Sequence, residues 1–189
     1  MTDVRELSPE QKDQLEDARK RAAEFMGAAK VATFNGWSIG FFAAVALLSV
    51  PFSDSHLVVL ILAVGMAVVA RNEFKGRRMI RAIDPEGPRL LGRNQVGFMS
   101  LIIAYCLWSI YGTYTHPNVE LQQQLDLIGV TQDTVRSLTA LVYVAVIAAT
   151  LIFQGLNARY YFVRVRKMQA YLRRIPDWIV ELQRTVTLD

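Results

Sequence analysis

Apolar residues fall into four long runs along the chain, and charged residues collect between these runs. A helix needs roughly 20 mostly apolar residues to cross the ~30 Å hydrocarbon core of a bilayer. Because lipid offers no hydrogen-bond partners, the backbone groups of such a run must bond within the segment, as they do in a helix. The four runs therefore predict transmembrane helices over residues 31–52, 57–74, 96–114 and 135–157.

The basic residues lie on one side of the four predicted spans. Of the 21 Lys and Arg residues, 20 precede the first span, follow the fourth, or lie between the second and third or at the end of the second, where Arg71 is; Arg136 is the exception. Since positive segments stay in the cytoplasm, we expect both termini there and a multi-pass protein of the cell (inner) membrane. The other predicted segments are a cytoplasmic amphipathic helix (1–30), a basic cytoplasmic loop (75–95), an outer loop (115–134), a basic cytoplasmic helix (158–175) and a short C-terminal amphipathic helix (176–189).

The N-terminal segment has the signals of a helix start. Ser8 is a predicted N-cap, Pro9 fits the first helical position, and Gln11 completes a capping box. Apolar residues then recur at helical spacing, which predicts an amphipathic helix that leads into the first span. Its apolar stripe packs on the protein itself or binds a membrane surface or a partner, and it consists of Leu15, Ala18, Ala22, Phe25 and Ala29.

Two segments of the chain share the pattern Ala-Arg-x-x-Phe-x-x-x-Arg. The first is Ala70–Arg78, after the second span, and the other is Ala158–Arg166, after the fourth. The match is consistent with two copies of a helical hairpin in parallel orientation, and hence with an internal duplication. The predicted fold is an all-α polytopic membrane protein with four transmembrane helices, arranged as two helical hairpins, and cytoplasmic helical extensions.

Small residues recur every four positions along the first span. Where lipid removes any hydrophobic drive for helices to associate, small residues allow two backbones to approach closely. We therefore expect a helix-packing face, either within the chain or with a second subunit. It consists of Ala32, Gly36, Gly40 and Ala44.

Polar residues are predicted at similar depth near the cytoplasmic ends of the spans. Such a layer can line the mouth of a pore or a ligand site, because polar groups within membranes often mark pathways. The interpretation that we favour is a network of interhelical hydrogen bonds at the headgroup boundary. The predicted inner polar layer consists of Asn35, Asn72, Glu73, Asn94, Gln95, Gln154 and Asn157.

Basic side chains continue beyond this layer, and aromatic residues such as Tyr160 and Tyr161 are expected at the same membrane boundary. Lys and Arg close to a membrane attract anionic headgroups by about 1 kcal/mol each. We do not expect nucleic acid as a partner, because these residues lie close to the bilayer. The candidate residues for binding membrane lipids or a partner are Arg71, Lys75, Arg78, Arg159, Arg164 and Arg166.

Residues able to bind metals or catalyse reactions are few. His56 and His116 belong to the predicted outer loops, near Asp54 and Glu120, but two histidines are more simply ordinary loop residues than metal ligands. A lone cysteine, Cys106, excludes an intramolecular disulfide and a thiolate zinc site. The chain has none of the common nucleotide-binding or hydrolase motifs. We therefore predict no catalytic residues, no metal and no cofactor.

These observations favour a non-enzymatic membrane protein that acts as an oligomeric structural or interaction component. In that role it would present basic cytoplasmic helices to anionic lipid or to a partner, as a homo-oligomer or as a subunit of a larger membrane complex. The alternative is a small oligomeric ion channel or pore. The centres of the four spans hold no ionisable residue, which argues against a cation-selective pore.

Overall fold

A computed structural model of the protein describes residues 7–53, 55–115 and 131–188. These residues form helices and short connections, with no strand among them. Four helices are long and apolar enough to cross a membrane, which confirms the predicted all-α fold with four candidate membrane spans. The elements are α1 (Pro9–Ser49), a 3₁₀ turn (Val50–Phe52), α2 (His56–Arg81), α3 (Glu86–Thr115), α4 (Gln132–Arg174) and α5 (Asp177–Leu188).

The four long helices form an up-and-down bundle. Helix α1 packs on α2, α2 on α3, α3 on α4, and α4 on α1. The start of α1 meets the end of α4, where the Lys167 Nζ atom donates to the Glu24 Oε2 atom at 2.8 Å. One end of the bundle is called the basic end. At this end α1 and α3 begin, and α2 and α4 end. Most of the predicted outer loop at the opposite end, together with Asp54, lies outside the described residues.

Helix α1 begins at the capping box predicted from the sequence. The Ser8 hydroxyl accepts a hydrogen bond from the Gln11 backbone N–H at 3.2 Å, and the Gln11 side chain accepts one from the Ser8 backbone N–H at 2.9 Å. Both N–H groups would otherwise lack partners at the helix start. The predicted N-terminal segment then continues without a break into the predicted first span, so that both belong to one helix of 41 residues.

The apolar stripe of the first part of α1 packs inside the protein. The Phe25 side chain is fully buried, and its ring lies 5.3 Å from the ring of Tyr171 on α4, edge to face. Helix α5 closes this core, because its Ile179 is also fully buried. The Arg184 Nε atom on α5 donates to the carbonyl of Ala82, beyond the end of α2, at 3.1 Å. The basic end therefore has its own hydrophobic core, which we call the basic-end core.

The connection between α2 and α3 turns at Ile83, whose φ is 54°. The Asp84 N–H then bonds the Met79 carbonyl at 2.9 Å, which closes the last turn of α2. A non-glycine residue in the left-handed region costs roughly 1–2 kcal/mol. The Ile83 side chain is completely buried in the basic-end core, and burial of an isoleucine is worth about 1.5–3 kcal/mol. Packing thus offsets the backbone strain at this turn.

The predicted stripe of small residues places α1 against α2. Ala32 and Gly36 are buried, and the Phe74 ring of α2 covers Gly36. A Cβ atom added at Gly36 would lie only 3.0 Å from the Phe74 Cζ atom. The close approach predicted for these two positions therefore occurs within the chain.

The stripe turns away from α2 along the second half of its predicted length. Gly40 is half-buried near Ala70, Ala44 is exposed, and Ala43 is buried in its place. An α-helix has about 3.6 residues per turn, so each four-residue step rotates the position by about 40°. Three such steps from Ala32 move Ala44 about 120° away from the contact.

The Gly36 contact can be tested by comparing Gly36→Leu with Gly97→Leu. We expect Gly36→Leu to destabilise the protein by about 1–3 kcal/mol, because the new side chain has to displace the Phe74 ring. Nothing lies within 4 Å of a Cβ atom added at Gly97, so Gly97→Leu should be neutral or stabilising, by up to about 1 kcal/mol of helix propensity. Thermal unfolding in a neutral detergent, followed by circular dichroism, measures both. Equal unfolding midpoints for the two variants would contradict the contact.

Candidate functional site: a buried carboxylate between four helices

The Glu73 side chain of α2 is the most deeply buried charged group among the described residues, with 0 % of its surface exposed. It lies where the apolar part of α2 gives way to the basic segment Arg71–Arg81. Burial of an ionised carboxylate is costly unless hydrogen bonds or a cation compensate for the lost water. The surroundings of this carboxylate therefore determine what the site can do.

Three side chains from two other helices donate hydrogen bonds to the Glu73 carboxylate. The Asn94 Nδ2 and Gln95 Nε2 atoms of α3 each donate to Oε1 at 2.8 Å. The Tyr161 hydroxyl of α4 donates to Oε2 at 3.3 Å. Since an ionised carboxylate is purely an acceptor, three donors match the charged form. Glu73 thus connects α2 to α3 and α4.

A second set of hydrogen bonds extends this layer to α1. The Asn35 Nδ2 atom of α1 donates to the Tyr161 hydroxyl oxygen at 3.4 Å. The Asn72 Nδ2 atom donates to Asn94 Oδ1 at 3.2 Å, and Asn94 Nδ2 also donates to the Val69 carbonyl at 3.0 Å. All four helices of the bundle therefore contribute to one polar layer around Glu73.

Five of the seven residues of the predicted inner polar layer are thus joined by hydrogen bonds. The other two, Gln154 and Asn157 on α4, line a neighbouring cavity and form no hydrogen bond with the described residues. Tyr161 was expected among the aromatic residues of the membrane interface, but its side chain is fully buried beside Glu73. Gln154, Asn157 and Tyr161 follow one another at helical spacing, and this signal could have identified Tyr161 as part of the layer.

No cation neutralises Glu73 within the described part of the chain. Each ion pair there joins other residues, and Glu24 with Lys167 is an example on the surface of the basic end. Removal of an ion from water still costs several kcal/mol after relaxation. A hydrogen bond to a charged group returns about 1.5–3 kcal/mol. The three donors therefore offset part of this cost, without help from a positive charge.

The adjoining cavity has a volume of about 610 Å³ and lies between the four helices. Most of its polar residues lie near the depth of Glu73, and its apolar residues lie towards the opposite end of the bundle. Gln154 is seven residues before Tyr161 on α4, about 10 Å along the helix axis. The polar ones are Asn35, Ser38, Gln95, Gln154 and Asn157, and the apolar ones are Ile39, Phe42, Val45, Ala46, Met66, Phe98 and Ile102.

Of the two histidines, the structure describes only His56. The His56 Nδ1 atom is within hydrogen-bond distance of the Val50 carbonyl oxygen, at 2.6 Å. No group of three His, Cys, Asp or Glu residues comes together within the described ranges. His116, Glu120 and Asp54 lie outside those ranges.

The predicted lipid- or partner-binding residues lie on the surface of the basic end. Arg164 is half-buried, because its guanidinium group stacks 3.8 Å above the Tyr160 ring. The other five are exposed: Arg71, Lys75, Arg78, Arg159 and Arg166.

Comparison of the chain with models of protein families, with curated proteins and with solved structures finds no match. The arguments on function therefore start from the geometry of the chain itself, that is, from the Glu73 layer, the cavity beside it and the basic surface.

The Glu73 layer can be tested by replacing Asn94, with Asn157 as the matched control. Asn94→Ala removes a donor from the buried carboxylate, so we expect a loss of about 2–3 kcal/mol in the free energy of unfolding. Asn157→Ala, at the same depth, removes no hydrogen bond to a described residue and should cost less than about 1 kcal/mol. Denaturant unfolding in detergent micelles measures both values. Equal losses would show that the layer does not depend on the Glu73 bonds.

Proposed function

We propose that the protein is a non-enzymatic component of the cell (inner) membrane whose basic end binds the anionic headgroups of the surrounding lipid. The observation that supports this is the sign of the exposed charges on the extensions of α2 and α4. Residues 158–175 include no acidic residue, and the one acidic residue of 70–82, Glu73, is buried. The charge that these two extensions present is therefore positive only.

The spacing of these residues suits a membrane surface. Arg71, Lys75 and Arg78 follow one face of α2, and Arg159 and Arg166 follow one face of α4. The headgroup region is about 5–7 Å thick on each side of the hydrocarbon core. At about 1.5 Å per residue, Lys75 lies about 6 Å beyond Arg71, within that layer, and Arg78 lies about 10 Å beyond Arg71. Even Arg78 is within about one Debye length of the headgroups at physiological salt.

The duplication expected from the sequence is part of the proposal, and two contacts support it. In the two copies of the Ala-Arg-x-x-Phe pattern, Phe74 and Phe162 hold equivalent positions, and each ring covers a glycine of the preceding helix, Gly36 and Gly92. Glu73 and Tyr161 are also equivalent in the pattern, and the Tyr161 hydroxyl donates a hydrogen bond to the Glu73 carboxylate at 3.3 Å. We propose that α1–α2 and α3–α4 are two helical hairpins related by a pseudo-twofold axis close to this bond.

The ion channel and the homo-oligomer that the sequence suggests are still predictions. Within one chain, direct hydrogen bonds between Glu73, Asn94, Gln95 and Tyr161 fill the centre of the bundle at the basic end. A pore would therefore have to lie between subunits. A role in a larger membrane complex stays equally open to test, because the basic surface would also suit an acidic protein partner.

The proposed orientation can be tested by labelling single cysteines in a Cys106→Ser background. We expect Ser8→Cys and Glu86→Cys, both exposed at the basic end, to react with an impermeant maleimide only from the cytoplasmic side. Ser55→Cys, exposed at the opposite end, should react only from outside. The physical reason is that positive segments resist translocation. Labelling of Glu86→Cys in intact cells would reverse the proposed orientation.

The lipid proposal can be tested in nanodiscs that contain phosphatidylcholine and phosphatidylglycerol. The triple variant Arg71→Gln, Lys75→Gln, Arg159→Gln should lose the preference of the wild type for spin-labelled phosphatidylglycerol. Each charge near the headgroups is worth about 1 kcal/mol, about fivefold in association. The control is Arg136→Gln, near the start of α4 at the opposite end. If the triple variant keeps the preference of the wild type, the basic surface does not bind lipid and serves a protein partner instead.

A further inference from the structure

The cavity beside Glu73 has the polarity of an amphiphile. Most of its polar residues, such as Asn35 and Asn157, lie near the level of the buried carboxylate, and residues such as Phe42 and Ile102 form an apolar section that follows the helices away from it. A volume of about 610 Å³ is within the roughly 300–1,000 Å³ range of small-ligand sites. A ligand that fits would thus combine a polar head with an apolar tail.

Two residues that line this cavity have buried hydrogen-bond acceptors without a partner. The Oε1 atoms of Gln95 and Gln154 accept no hydrogen bond from any described residue. For Gln95 the orientation of the amide is fixed, because its Nε2 atom donates to Glu73. A buried acceptor without a donor costs about 1–3 kcal/mol. A ligand head that reaches these two oxygens therefore has to supply N–H or O–H donors.

The charge of the head follows from Glu73. This carboxylate has three hydrogen-bond donors but no cation among the described residues that surround it. Gln95 connects it to the cavity: the N–H end of its amide points to the carboxylate, so the amide dipole presents its oxygen end away from the negative charge. Both the dipole and the charge behind it favour a positive group in the cavity. An anionic head would be repelled.

We propose that this cavity binds a cationic amphiphile with an N–H-bearing ammonium head and one apolar tail. The head lies among Gln95, Gln154 and Asn157 and donates to the two amide oxygens. The tail follows Phe42 and Ile102. This site is independent of the basic surface, which attracts groups of the opposite charge, and each of the two proposals can fail without the other.

The experiment uses three probes that share a dodecyl tail and the full-length protein in nanodiscs of phosphatidylcholine. Dodecylamine carries both a charge and N–H donors, dodecyltrimethylammonium carries a charge without donors, and dodecanol has a donor without a charge. Binding to the folded state raises the unfolding temperature with probe concentration, and this dependence gives an apparent affinity. We expect dodecylamine to bind about tenfold more tightly than either of the others. Equal affinities for the three probes would overturn the proposal.

The location is tested with Gln154→Met, for which Gln169→Met on the same helix is the matched control. Since Gln154 has no hydrogen bond to lose and its buried acceptor is removed, Gln154→Met should be at least as stable as the wild type but bind dodecylamine about tenfold more weakly. Gln169 does not line the cavity, and Gln169→Met should bind as the wild type does. A second variant, Ala46→Leu, narrows the apolar section without changing a polar group and should weaken binding of dodecylamine and dodecanol alike. Wild-type affinity in both Gln154→Met and Ala46→Leu would show that the amine binds elsewhere, and the proposal would be wrong.

Discussion

The bundle depends on one constraint, which is that a carboxylate buried among four helices needs a donor for each of its accessible lone pairs. Glu73 obtains its donors from α3 and α4, and Asn35 extends the same network to α1. Donors that meet at one group fix the rotation and the axial position of each helix, since a shift of one residue would aim them elsewhere. Apolar packing in lipid lacks this directional information, because lipid tails compete equally for apolar surfaces.

The same layer separates two parts of the protein that are stabilised differently. Beyond it, towards the basic end, α5 and the first part of α1 bury Phe25 and Ile179 in the basic-end core, as in a water-soluble bundle. On its other side the helices expose large apolar side chains such as Phe41 and Leu141, which suits lipid. The polar layer lies between these two parts, and its hydrogen bonds take the place of water for the polar groups that the helices bury.

The sequence predicted much of this because two of its signals are local. Helical spans follow from the length of the apolar runs, and the Ser8 capping box follows from three neighbouring residues. The depth of Glu73, Asn94 and Gln95 could also be predicted, since a residue count from the ends of the spans gives it. The pairing of donors with acceptors could not be predicted, because it depends on the rotation of each helix about its axis. For this reason Tyr161 was assigned to the surface. Ala44 was assigned to the packing face because a four-residue step was continued along α1, although such a step rotates out of the α1–α2 contact.

If the two halves of the chain are copies, their divergence at the central bond has a physical reason. Glu73 and Tyr161 hold equivalent positions and meet each other, so an unchanged copy would have placed two identical side chains in contact. Two carboxylates at that separation would not both ionise, because like charges in a poorly solvated site raise the free energy of the doubly charged form. Two tyrosines would satisfy each other but hold no charge. A carboxylate on one half and a phenol on the other supply both an acceptor and its donor, which neither pair of identical side chains does as well.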